Sequence, residues 1–274
     1  MAAAFMYDDL VAGAAFIGDL NTIASASMPL TNLSDPQPRV RTRWAGSVSL
    51  YIDFGSAVDS SCVGLLSTSL GVQPQPGDPV PPGGTGVRVQ LGNDAGFGTA
   101  NWDTGTLTPT TDPTTGGNVV MVHATSASGR YMRLDISDPV SPVIDIGRII
   151  AGPLWRTSYA WAYGAGEGRL MLDRRDRNSF TGAEFPVPAI VNPRVMTFGL
   201  EAITSAEAIG EFRTMLDTLG AVGDALWIPD DGLALAEMNR RAIFGAVAQP
   251  GETALLTRAN FRLHRRSFNM VERV

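Results

Sequence analysis

The sequence predicts a mainly β protein, with a β-sandwich in its first half and a second β-rich part built around one main α-helix. Three observations predict it. The 274 residues include 30 Gly and 18 Pro, so turns come often. The apolar residues, 44% of the chain, fall in short runs between those turns, as strands do. Only the stretch 205–219 repeats apolar residues at helical spacing between a start signal and a stop signal.

Residues 1–29 are rich in Ala and poor in turn chemistry, which reads as a short helix, as an extended arm of the kind that docks on a neighbouring subunit, or more plainly as a frayed terminus. Strands are expected at Val48–Gly55, Val63–Leu66, Val87–Leu91, Val119–His123, Arg130–Ile136 and Ile144–Ile150. Strict alternation in Val87–Leu91 turns Val87, Val89 and Leu91 toward a core. The Pro-rich segment from Gly71 to Gly86 and the segment from Gly92 to Gly117 read as long loops. Gly152-Pro153 punctuates the chain and divides a sandwich, 30–154, from a second domain, 155–274.

In the second domain, a strand at Arg169–Asp173 leads to a charged tip at Arg174–Asn178, and another strand runs from Val195 to Ile203. Thr204 and Glu207 have the form of a capping box, and Gly220 is the stop. The helix between them predicts a buried face of Ile209, Phe212, Leu216 and Leu219. Ala225–Ile228, Arg241–Val247 and Thr257–Val271 complete the set. Phe261 and Leu263 have one parity and Phe268 and Met270 the other, so a bulge is expected near Arg265-Arg266.

Net charge is −6 and the sequence pI about 4.9, which gives no general field for nucleic acid. All 21 basic residues are Arg. The single cysteine, Cys62, sits in an apolar run and reads as a buried, inert thiol. The N-terminus lacks the form of a signal peptide, and no apolar run reaches the ~20 residues that span a bilayer. Synthesis in the cytoplasm without membrane insertion is the expectation.

Several pieces stand in the order of the discoidin or galactose-binding-like jelly-roll sandwich. They are Asn32-Leu33, Arg43-Trp44, Tyr51-Ile52-Asp53-Phe54-Gly55, Ser128 to Leu134, and Ile144 to Ile149. Over residues 30–152 the chain resembles that family. The order of elements in the second domain is similar to that of tail-tube and distal-tail proteins of tailed bacteriophages. The resemblance implies a structural subunit of a phage tail tip or baseplate. Such a subunit would be made in the host cytoplasm and built into the virion as a ring with copies of itself and other tail proteins. The alternative it leaves is an adhesin whose sandwich grips a host surface glycan.

Catalytic chemistry has little support. His123 and His264 lie beside no nucleophile motif and no Gly-x-Ser-x-Gly occurs, so the expectation is a protein that is not an enzyme and needs no cofactor or metal. Asp53, Asp135 and Asp138 read as turn-makers near strand ends. Trp102, on a long loop, is the candidate glycan contact, with a cap on the sandwich core as the favoured reading of the same ring. Arg174, Arg175 and Arg177, with Arg262, Arg265 and Arg266, are candidate inter-subunit contacts, because guanidinium forks pair with carboxylates across boundaries.

Overall fold

The computed structural model describes residues 3–18, 27–70, 85–109, 117–138, 143–158, 166–170, 174–177, 181, 184–187, 193–220, 223–248, 254–258 and 261–273. The first half holds β1 (Ala4–Met6), β2 (Ala15–Gly18), β3 (Thr42–Ala45), β4 (Val48–Leu66), β5 (Gly86–Gly92), β6 (Trp102–Asp103), β7 (Val119–Ser137), β8 (Val143–Ile146) and β9 (Arg148–Gly152). The second half holds β10 (Trp155–Arg156), β11 (Gly166–Arg169), β12 (Arg174–Arg177), β13 (Glu184–Val187), β14 (Arg194–Thr204), α1 (Ser205–Ile209) and α2 (Glu211–Leu219). It ends with β15 (Asp224–Ile228), α3 (Leu235–Arg241), β16 (Ile243–Ala248), β17 (Ala254–Arg258) and β18 (Phe261–Glu272). The fold is mainly β, an antiparallel jelly-roll-type sandwich followed by a second β-rich part.

The sandwich is built on two 19-residue strands, β4 and β7, each of which joins two of the short strands the sequence suggests. Its main sheet runs β2-β4-β7-β5-β6, with β9 added along the far half of β4. The β3–β8 ribbon covers the inner face, where Trp44, Ile144 and Ile146 meet Leu50, Ile52, Val89 and Leu134. The run read as one strand, Ile144–Ile150, is broken at Gly147. The chain leaves the ribbon there and joins β4, passing so close to Pro38 that a Cβ at Gly147 would stand 1.8 Å from its carbonyl oxygen. Arg43-Trp44, which precedes the first strand expected from the sequence, Val48–Gly55, itself lies within a strand, β3.

The second sheet runs β10-β1-β15-β16-β18-β14-β11, with β17 also on β18. The N-terminal segment therefore differs from the expected arm. Ala4–Met6 is an interior strand of this sheet, between β10 and β15, and Ala15–Gly18 pairs with β4 in the sandwich. Ala3, Ala4 and Phe5 are fully buried within their own chain, whereas Ile17 is 55% exposed.

The capping box forms as read: Glu207 N–H donates to Thr204 Oγ1, and Thr204 N–H donates to the Glu207 carboxylate. The helix behind it is broken at Gly210, where a Cβ would meet Ala206 O at 2.7 Å. The break turns the two pieces relative to each other. Phe212, Met215 and Leu219 are buried, Leu216 is half-buried, and Ile209 is 65% exposed, against the expectation for that residue. Phe212→Ala should therefore cost about 3–5 kcal/mol in urea unfolding. Ile209→Ala should stay within about 0.5 kcal/mol, and a larger loss would contradict the exposed position.

Three further readings are corrected. The charged tip at Arg174–Asn178 is in part strand, since β12 pairs with β13. A further helix, α3, precedes β16, in a stretch where the sequence predicts no helix and places only Arg241 in a strand. The bulge lies at the expected level but in the other strand. The β14–β18 register shifts between Leu200, opposite Arg266, and Ile203, opposite His264, so the extra residue is in β14.

Candidate functional site

The outer face of the main sandwich sheet has two halves of opposite character. On the far half, Cys62, Leu66, Val120 and Ile150 pack against Ala4, Met6, Leu226, Ile228 and Phe244 of the second sheet and Met238 of α3. Burial pushes the Cys62 thiol up, consistent with the inert reading. Asn239 of α3 accepts the Val120 N–H at 2.8 Å within this joint. Arg156 ties its rim, donating to Asp231 at 2.5 Å and to the His123 carbonyl at 2.6 Å.

Among the described residues no apolar cluster covers the near half, and its outward positions are mostly polar, with the exposed Ile17 as the exception. One register line crosses all five strands: Ile17, Tyr51, Arg133, Gln90, Asp103. The next line carries Ser49, Asp135 and Arg88. Arg88 grips Asp103 with two hydrogen bonds, at 2.9 and 2.5 Å, and Gln90 adds a third at 3.2 Å. Arg130 grips Asp53 at 2.8 and 2.9 Å and lies over the Tyr131 ring. Arg133 donates to Asp135 at 2.9 Å and lies 5.4 Å from the centre of the Tyr51 ring.

The Arg88 hydrogen bonds hold the Asp103 carboxyl at about 2, and the Arg130 hydrogen bonds lower that of Asp53. The sign follows from linkage. A carboxyl with a depressed folded-state pKa adds stability above its ordinary value, near 4, and loses it as pH falls toward the folded value. The wild type should thus weaken between about pH 4 and pH 2, and Asp103→Asn should flatten that limb in thermal unfolding. An unchanged limb would mean the pair does not persist in solution.

At the end of this face lies a cleft of about 340 Å³, lined by Ser47, Ser49, Arg88, Thr106, Asp135 and Ser137. It lies where β4, β7 and β5 run side by side, between Gly86↔Ser137 and Ser49↔Asp135.

The sequence-selected residues are placed elsewhere. Trp102 pairs with Leu91, is 4% exposed, and packs into the sandwich core with its ring 5.3 Å from His123, so it offers a ligand no open face here. Arg174, Arg175 and Arg177 lie on β12, and Arg262, Arg265 and Arg266 on β18. Their side chains fall outside the described residues. Asp53 does make the expected turn contact, accepting Gly55 N–H at 2.7 Å, whereas Asp135 stands on the open face within β7 and not at a turn. The open face was missed, although the parity of Val87–Leu91 already turned Arg88 and Gln90 outward.

Among the described residues no group of three His, Cys, Asp or Glu side chains is gathered for a metal ion, and no helix is long and apolar enough to cross a membrane.

No protein-family model matches the chain, and no curated protein matches it. Among solved structures, it is similar to a mutant of chitosan-binding module 1 derived from the chitosanase/glucanase from Paenibacillus sp. IK-5, at 18% identity and a TM-score of 0.39. That match covers 53% of this chain and 98% of that one. Module 2 of the same enzyme, in complex with chitotriose, gives 16% identity and 0.38 over 53% and 99%. The CBM32 of AlyQ, in complex with 4,5-unsaturated mannuronic acid, gives 17% and 0.36 over 55% and 97%. Likenesses this distant do not bear on function.

Proposed function

We propose that the chain is a non-catalytic carbohydrate-recognition subunit whose sandwich presents its open outer face to a glycan. The observation that carries this reading is the pattern of that face. Tyr51 and Tyr131 stand among serine hydroxyls, guanidinium groups and carboxylates in fixed register, beside a cleft of about 340 Å³. That size is near the lower end for small-ligand sites, about 300–1,000 Å³. Sugars offer C–H faces for rings and dense hydroxyls for charged, pre-oriented hydrogen-bonding groups. The test is a glycan array probed with the whole purified chain. Binding to a defined set of glycans is expected, and no binding above background would overturn the reading.

A second reading concerns the setting: a structural subunit of a phage tail tip or baseplate, in a ring with copies of itself and beside other tail proteins. One feature supports it. The sandwich is fastened to the second sheet by a shared apolar core and by an N-terminal segment that enters both sheets, so a recognition face is held at a fixed angle. An antibody against the chain should then label the tails of purified phage particles by electron microscopy. Absence of the chain from such particles would end this second reading and leave the first intact.

A further inference from the structure

The ion pairs of the open face leave specific atoms unused. Both hydrogen bonds to Asp135, from Ser49 Oγ at 2.5 Å and from Arg133 Nε at 2.9 Å, fall on Oδ1, so Oδ2 accepts nothing among the described residues. Its carboxylate is 27% exposed. Arg88 engages Asp103 through Nε and Nη2, and among the described residues both N–H groups of Nη1 are left without an acceptor. Asp135 and Arg88 are direct cross-strand partners and both line the cleft. Among the described residues, an acceptor and a double donor without hydrogen-bond partners thus belong to cross-strand neighbours that line one cleft, together with the hydroxyls of Ser47, Thr106 and Ser137.

The ion pairs of the face are balanced. Arg88 pairs with Asp103, Arg133 with Asp135, and Arg130 with Asp53, so these six side chains add no net charge to the face. Gly86 keeps the cleft open, because a Cβ there would stand 3.0 Å from both Ser137 Oγ and Thr106 Cγ2.

We propose that this cleft binds the terminal residue of a neutral glycan, with neighbouring hydroxyls of one sugar ring bridging Asp135 Oδ2 and Arg88 Nη1. This rests on the carbohydrate-recognition reading above and adds the place, the contact atoms and the charge class. One hydroxyl donates to the carboxylate while the next accepts from the guanidinium. Such charge-assisted bonds are directional, so an epimer that moves one hydroxyl loses one of the two.

The experiment measures binding of the whole chain to immobilised neutral glycans ending in hexose or N-acetylhexosamine, and to sialylated and uronic-acid-terminated glycans. Neutral glycans should bind best, with less than about a twofold change between about 0.05 and 0.5 M NaCl. Asp135→Ala should weaken binding about tenfold or more. Gly86→Val should do the same by filling the cleft, while Asp217→Asn, on α2 in the second β-rich part and 75% exposed, should leave it unchanged. Thermal unfolding of each variant establishes that it is folded. A rise in the wild-type unfolding midpoint on adding the preferred neutral glycan gives a readout that needs no variant. Binding confined to acidic glycans with steep salt dependence would overturn the proposal and keep carbohydrate recognition. Neutral binding indifferent to both cleft variants would overturn it too. Binding to no glycan at all would overturn both.

Discussion

Arg194→Met should destabilise the protein by about 3–5 kcal/mol, among the largest losses expected from any single substitution in this chain. Arg194 is 1% exposed and meets Glu272 at the end of the β14–β18 pair. Its guanidinium donates to both Glu272 oxygens, to the Arg240 carbonyl at 2.8 Å and to the Ala242 carbonyl at 2.7 Å, while its backbone N–H also donates to Glu272. The group thus satisfies the end of α3 and the start of β16 as well as the carboxylate. A buried ion pair adds little net stability, because desolvation cancels much of the attraction, but removing one member leaves the other charged and dry. Met fills much of the same space and isolates that electrostatic loss. The double variant Arg194→Met/Glu272→Leu should recover part of it. It should not recover all, because the Arg240 and Ala242 carbonyls still lose their donor. Urea unfolding of the three variants measures this, and a single-variant loss below about 1 kcal/mol would mean that water reaches the pair.

This pair also marks where sequence reading stops. Arg194 and Glu272 are 78 residues apart, and nothing local in either segment points to the other. The strands themselves were legible, since alternation in Val87–Leu91 sets the buried parity, and in the strand expected at Val195–Ile203 the alternating Met196, Phe198 and Leu200 are buried. The capping box at Thr204 was legible because both its hydrogen bonds join residues three apart. The tilt at Gly210 was not, because helical periodicity assumes a straight axis, and Ile209 was assigned to the wrong side. The open face illustrates the same limit. Arg88, Asp103 and Arg133 read as ordinary polar residues of strand or loop and Asp135 as a turn-maker, and only the cross-strand register brings them to one face. Trp102 drew attention as a lone aromatic in a polar loop, yet a large ring in a loop next to a sandwich finds its lowest free energy by covering the core.

Deleting residues 1–6 should have a larger effect than any point substitution and should remove the native second sheet altogether. The segment supplies a three-residue strand, β1, that pairs with β10 through Ala4↔Arg156 and Phe5↔Trp155 and with β15 through Ala4↔Ile228, Phe5↔Trp227 and Met6↔Leu226. Its side chains alternate between two cores. Phe5 stacks on Trp155 at 5.3 Å and on Phe198 at 5.9 Å, on the side covered by α2, while Ala4 and Met6 face the sandwich. Phe5→Ala alone should cost about 3–5 kcal/mol. The deletion adds the lost ladder bonds on both neighbours and bares the sandwich-facing side, which together approach the whole stability of an ordinary domain, about 5–15 kcal/mol. Residues 30–154 in isolation face the converse difficulty. They lose β2 from the edge of β4 and Val11 from the sandwich core, and they expose Cys62, Leu66, Val120 and Ile150 to water. The full chain should therefore unfold in one cooperative transition followed by tryptophan fluorescence, with Trp44 in the sandwich and Trp155 and Trp227 beside β1 reporting the same midpoint. Single-tryptophan variants separate these signals. If the deleted chain kept the wild-type midpoint, or if fragment 30–154 melted cooperatively at that midpoint, the two parts would be energetically independent. The N-terminal strand would then be an ornament on the second sheet instead of the piece that closes it.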